Sequence, residues 1–170
     1  DHPALSVRLA AEDGLVDEGR AAVGRLAARL REAEPTPGRI HALWALDRIG
    51  TVEAREAIRS VLSDPSAPIR LQAARSSGLR RDREAGPALG RLVHDRDPAV
   101  RREAAVALGR IGDRAASPAL LVALGDADRF AAWSIRQALL AVDCNDQEAI
   151  VDAFLDPRRR EPALLLADES

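Results

Sequence analysis

The sequence predicts an all-α solenoid, an α-α superhelix of about five two-helix repeats, on three observations. Residue types recur at a 31-residue shift along nearly the whole chain. Hydrophobic residues reach 46% while aromatics stay at 2%, so the apolar content is mostly Ala, Leu, Val and Ile, of which Ala and Leu are strong helix formers. Asp, Pro and Gly fall between the apolar stripes, where helices begin and end.

The elements follow in chain order. The units span about 1–33, 34–64, 65–95, 96–126 and 127–156 of one array, and 157–170 is a tail or a truncated sixth unit. Val7, Arg8, Ala11 and Leu15 open the first. Arg39, Ala42, Ala45, Leu46, Ile49 and Gly50 in the second align with Arg101, Ala104, Ala107, Leu108, Ile111 and Gly112 of the fourth, and Ile69, Arg70, Ala73 and Ala74 in the third with Val100, Arg101, Ala104 and Ala105. The fourth is the clearest: Val100, Ala104, Leu108 and Ile111 form one helical stripe, broken at Gly112-Asp113 and followed by a second at 116, 119, 120, 123 and 124. The fifth keeps Ala131, Ile135, Leu139 and Val142 and is degenerate. Asp97-Pro98 is a start signal, with Ser66 and Pro68, and Thr36 and Pro37, in similar parts. A hairpin this small cannot bury both its stripes, so neighbours must stack. Alanines at 42, 73, 104 and 105 allow close approach, and Trp44 and Trp133 are expected as packing plugs between units.

The stretch Asp97 to Asp113 followed by Ser117 to Leu124 resembles the HEAT-like repeats of phycobilisome lyases, most strongly over 64–126, and departs from the longer HEAT unit of about 40 residues. The resemblance implies a right-handed superhelix with first helices outside and second helices on the concave face. It also implies a structural column, Arg8, Arg39, Arg70 and Arg101, that ties neighbouring repeats. The run Ile40 to Leu46 resembles the HEAT-like segment of planctomycete-type membrane-bound dehydrogenases, which would make the chain a connector in an exported redox protein.

Composition narrows the function. All 25 basic residues are Arg, against 27 acidic ones, which reads as high-GC, bacterial codon usage. A chain with no Met is expected to be a fragment or a processed form. Net charge −2 gives no global case for nucleic acid or an anionic membrane, and no apolar run approaches the roughly 18 residues that span a bilayer. A HEAT-like DNA glycosylase, the third-ranked reading, would need a strongly basic groove. The default compartment is the cytoplasm, or an exported one under the dehydrogenase-type parent.

No catalytic, metal or cofactor residue is expected. His2, His41 and His94 lie in separate units at different positions, none with a second ligand on its stripe, and His41 is expected to be exposed. Iron-binding HEAT-like hydroxylases carry His-Glu pairs, which are absent here. Cys144 beside Asp143 and Asp146 lies in an acidic setting that disfavours a thiolate. What remains is surface. Projecting the second helices away from their buried stripes exposes Arg25, Arg29, Arg55, Arg59 and Arg91, then Leu121 and Val122, then an acidic stretch with Glu148 and Asp152. This face reads as a groove for an acidic protein segment. The chain is therefore expected to be a non-catalytic protein-interaction scaffold, one module of a larger bacterial protein, monomeric or weakly associating end to end. The alternative is an accessory module of a bilin-lyase-type or dehydrogenase-type enzyme.

Overall fold

The computed structural model describes residues 5–32 and 37–142. The second helix expected in the fifth unit, Cys144, Thr36, His2 and the tail lie outside the described residues. Every regular element among those described is helical. The first helices of successive units are α1 (Leu5–Asp17), α3 (Pro37–Ile49), α5 (Ala67–Leu79), α7 (Pro98–Ile111) and α9 (Arg129–Ala141); the second helices are α2 (Val23–Leu30), α4 (Val52–Arg59), α6 (Gly86–Leu92) and α8 (Ser117–Val122). A 3-10 turn precedes α2, α6 and α8, so the second helices are short and tightly wound at entry.

The punctuation works as local chemistry requires. The Asp97 carboxylate accepts from the Ala99 amide at 2.8 Å and caps α7, with Pro98 in the first turn. The Asp128 carboxylate accepts from Phe130 and Ala131 at the start of α9, and Thr51 accepts from Ala54 at the start of α4. Ser66 uses its backbone instead, its amide donating to Asp64 at 2.9 Å. The first helices of the four complete repeats end at one left-handed position. Gly19, Gly50 and Gly112 hold φ of 59°, 65° and 68°, and Arg81 takes the same place at φ 49°. A side chain there is held against the preference of its own Cβ.

The chain divides into two compact units, Asp1–Ser77 and Gly78–Ser170. In the first, α3 packs on α1, α2 and α4 around Leu26, Leu30, Leu43, Leu46, Ile58 and Leu62. In the second, α7 packs on α6 and α9 around Leu89, Val100, Leu108, Leu120, Leu124, Ile135 and Leu139. Consecutive first helices meet at an offset of 29 residues. Within the second unit a Cβ on Gly78 would lie 2.6 Å from the Ala107 Cα, and one on Gly109 would lie 3.1 Å from the Ala138 Cα. Within the first, the equivalent pair is polar: the Ser76 hydroxyl donates to Asp47 at 2.5 Å. The neighbouring Ser77 occupies the column of Leu46, Leu108 and Leu139, and its buried hydroxyl has no partner.

The arginine column forms a clamp. Arg39, only 1% exposed, donates to the Leu30 carbonyl at 2.9 Å and pairs with Asp64. Arg70 donates to the Asp64 and Pro65 carbonyls at 2.8 and 3.0 Å. Arg101 donates to the Asp95 carbonyl at 2.9 Å and grips Asp126 through Nε and Nη2 at 2.5 and 2.8 Å. Asp126 also accepts from the Asp128 amide at 2.8 Å. Arg8 differs, its Nε donating to His41.

Two sequence expectations change. Val7, at the register position of the buried Ile69 and Val100, is 46% exposed because it borders an open cleft between α1, α2 and α3. The tryptophans are not plugs: Trp44 is 39% and Trp133 56% exposed. Both lie off the small-residue stripe where first helices touch, which has no room for an indole.

Arg81→Gly is expected to stabilise the chain by about 1 kcal/mol, by relieving the left-handed conformation; chemical denaturation measures it. A second prediction concerns the clamp. Burial raises the Asp126 carboxylate pKa, but the Arg101 hydrogen bonds and the Asp128 amide outweigh it and hold it below the usual range. Its stabilisation is therefore present above the unfolded carboxylate value, about 3.9, and is lost as pH falls through the lower folded value. Arg101→Met should cost about 2 kcal/mol at pH 7. It should also flatten the loss of stability below about pH 4, checked by urea unfolding across that range.

Candidate functional site

The second-helix face is built on short helices whose apolar stripes are buried and whose other residues look outward. In the first unit Arg25 and Arg29 stand on α2, and Arg55 and Arg59 on the packed neighbour α4. None is an isolated cation. Arg25 pairs with Glu18, Arg29 with Glu32, and Arg20 with Glu53. Arg55 spends one donor on the Gly50 carbonyl at 3.0 Å, closing the turn between α3 and α4. Glu53 sits in the first turn of α4, and its carboxylate is held below the usual range, first by its own backbone amide. In the second unit Arg91 is exposed on α6 and Val122 is 52% exposed on α8. Leu121 was expected beside Val122 as a contact residue, and this is corrected: it is 9% exposed. α8 is short and runs straight into a 3-10 turn over Ala123–Gly125, so a regular helical projection does not hold through its end.

Arg25 and Arg29 also border a cleft of about 400 Å³ between α1, α2 and α3. Val7, Leu15, Leu26, Ala42 and Ala45 supply its apolar walls, and Arg8, Glu12 and His41 its polar ones. Gly38 lines it as well. That residue occupies the register position of Ile69 and Val100, which are 2% and 0% exposed in their own repeats. The missing side chain leaves room where Ile69 and Val100 place a branched aliphatic group.

One wall of the cleft is a buried polar network. His41 was expected at the surface and is instead 9% exposed. Its Nδ1 bonds Glu12 at 2.8 Å and its Nε2 accepts from the Arg8 Nε at 3.3 Å. An arginine only donates, so Nε2 is the accepting nitrogen and Nδ1 the one left to donate to Glu12. The Trp44 ring stacks edge-on against His41 with centroids 5.1 Å apart. The other Glu12 oxygen accepts from Arg48 at 3.3 Å, and Arg48 also bonds Asp13 at 2.6 Å. Those bonds, Asp13 first and Glu12 second, raise the Arg48 pKa. Both His41 nitrogens are thus engaged within the protein. Among the described residues no group of three or more His, Cys, Asp or Glu is placed to hold a metal. Glu12 and Arg48 escaped the sequence reading. The signal that finds Glu12 is the 29-residue offset to His41, shared with Asp47 and Ser76.

Stacked antiparallel helical pairs, arginine clamps and small-residue contacts at a fixed offset define an α-α repeat protein. Residues 23–89 and 62–140 match the family described as HEAT repeats, and the chain belongs to that family. Its repeats are of the phycobilisome-lyase type. The complex of CpcE and CpcF of phycocyanin lyase from Nostoc sp. PCC7120 is similar to it with a TM-score of 0.65 and 25% identity, over 95% of this chain and 71% of that one. Human deoxyhypusine hydroxylase in complex with glycerol is similar with a TM-score of 0.64 and 31% identity, over 72% of this chain. The match spans 44% of the hydroxylase. No curated protein matches the sequence. No described helix is long and apolar enough to cross a membrane.

Glu12→Ala should leave the buried His41 Nδ1–H without its acceptor, while Arg48 keeps Asp13, destabilising the chain by about 2 kcal/mol. The His41 ring proton should then exchange faster with solvent, as followed by NMR.

Proposed function

We propose that the chain is a non-catalytic protein-interaction module of a larger bacterial protein, and that its second-helix face receives an acidic segment of a partner or of a neighbouring domain. The observation that carries this reading is the arginines that the second helices bring to their surface: Arg25, exposed, and Arg29, Arg55 and Arg59, half-buried, in the first unit, and Arg91, exposed, in the second. Their pairs with Glu18 and Glu32 do not close the face, because exposed ion pairs contribute little and exchange with a better acceptor. A bidentate guanidinium–carboxylate contact is such an acceptor pair. The exposed Val122 adds an apolar contact in the second unit. A relative that is itself a two-protein complex of CpcE and CpcF supports an assembly role.

A second reading, an accessory module of an enzyme, is favoured by the same relative being part of a phycocyanin lyase and by the other being a hydroxylase. It differs from the first only in what the partner does. A connector in a dehydrogenase-type parent would fall under it.

The test uses a fluorescein-labelled peptide rich in Asp and Glu and its Asn/Gln counterpart. The acidic peptide should bind the chain, and binding should weaken as salt rises from about 0.05 to 0.5 M. Charge reversal at Arg55, Arg59 and Arg91 together should weaken it by about tenfold or more. Equal binding of the two peptides, or no change in the triple variant, overturns the proposal.

A further inference from the structure

We infer that the end of α5 and the turn into α6, residues 76–82, form a built-in opening point: this segment unwinds locally while the cores of both compact units stay packed. The second and fourth repeats supply the standard for comparison. There α3 and α7 run to Ile49 and Ile111, and the Gly50 and Gly112 amides reach back four residues to the Leu46 and Leu108 carbonyls at 3.0 Å. That bond, made from a glycine in the left-handed region, is a common way to close a helix. In the third repeat α5 stops one residue sooner, at Leu79, and the Arg81 amide reaches back only three residues, to the Gly78 carbonyl at 3.1 Å.

Four features of this one turn lower the free energy of opening it. The three-residue closure has the poorer hydrogen-bond geometry. Arg81 holds φ at 49°, where a Cβ is disfavoured. Ser77, 2% exposed, stands at the position of Leu46 and Leu108, and its hydroxyl has neither water access nor a hydrogen-bond partner among the described residues. Such a hydroxyl regains a partner as soon as the segment opens. Asp82 is engaged elsewhere and makes no side-chain cap bond to the 3-10 turn that follows it. At the same position Thr51 accepts from Ala54, and Asp113 accepts from Ala115.

Stability in a repeat array adds up from each repeat and its neighbours, so deficits gathered in one turn act on that turn. Opening breaks the contact of Gly78 with Ala107, but the fourth repeat has its own in Gly109 against Ala138, so this cost does not separate the two turns. The segment also contains the division between the compact units, at Ser77 and Gly78, so each unit keeps its core when it opens.

Hydrogen–deuterium exchange of the whole chain, resolved by mass spectrometry, tests the inference. Protection factors over residues 76–82 should be about tenfold or more below those over 45–51 and 107–113. Arg81→Gly should raise protection of 76–82 about fivefold. Ser77→Ala, which removes the hydroxyl and keeps the size, should raise it by a similar factor. The other two segments should keep their protection in both variants. Trypsin gives an independent reading, because Ser77→Ala leaves every arginine in place. The unaltered chain should be cut at the exposed Arg80, Arg81 or Arg83 before Arg110 or Arg114, and the variant more slowly at those first three. Equal protection of the three segments overturns the inference, as does unchanged protection of 76–82 in both variants. A rise shared equally by all three segments also overturns it, since that reports the stability of the whole chain. So does cleavage at Arg110 or Arg114 first.

Discussion

A guanidinium group sealed into the seam between repeats is the constraint on which the rest of this protein depends. A charge there would be costly if any of its donors went unmet. Arg101 meets the cost with a carbonyl from the turn it follows and the carboxylate that ends its own repeat. Arg39 does the same with Leu30 and Asp64. One side chain thereby sets where a hairpin begins, where it ends and how the preceding turn enters it. The aspartates repay the arrangement by accepting the amide two residues on, which shapes the loop into the next first helix. A hydrophobic contact could hold the same elements together, but it would not specify their register, because it has no direction.

Small residues do the complementary work. With Gly78 against Ala107 and Gly109 against Ala138, the first helices approach to backbone contact. Large side chains are pushed off that line, which is why both tryptophans lie at the surface. The third repeat departs from the rule set most. It puts Ser77 where leucines stand, leaves that hydroxyl unpartnered, and ends its first helix on Arg81 rather than glycine. Its column-mates show what each position asks for, so these departures are visible without any second sequence.

Much of the fold was legible in the residues because the features that define it are local. The helix start at Asp97 and the stop at Gly112 each follow from a few neighbouring side chains, and the arginine column from the 31-residue recurrence and the family resemblance. The site was less legible. His41 and Glu12 are buried together only because α1 and α3 stack at a particular offset, and no spacing along one helix reveals that. Gly38 shares its register position with Ile69 and Val100, but that those positions are core is visible only in the packed repeats. Leu121 was misplaced because a projection at 100° per residue assumes a helix that continues, and α8 does not. The arginines of the second-helix face were found by the same projection, but their carboxylate partners Glu18 and Glu32 lie in the flanking turns and were invisible to it.

A contact rule written as a fixed offset bears on how such a chain can change length. Residue i meets residue i plus 29 in the next first helix, and the Arg39–Asp64 and Arg101–Asp126 clamps each span 25 residues. Gain or loss of a whole repeat preserves both numbers for all the repeats that remain. A single inserted residue inside a helix breaks them at once, setting Cβ atoms against backbone and parting an arginine from its aspartate. Growth by duplicated cassettes is therefore nearly silent in this architecture, whereas a one-residue slip is as damaging as the loss of a core side chain.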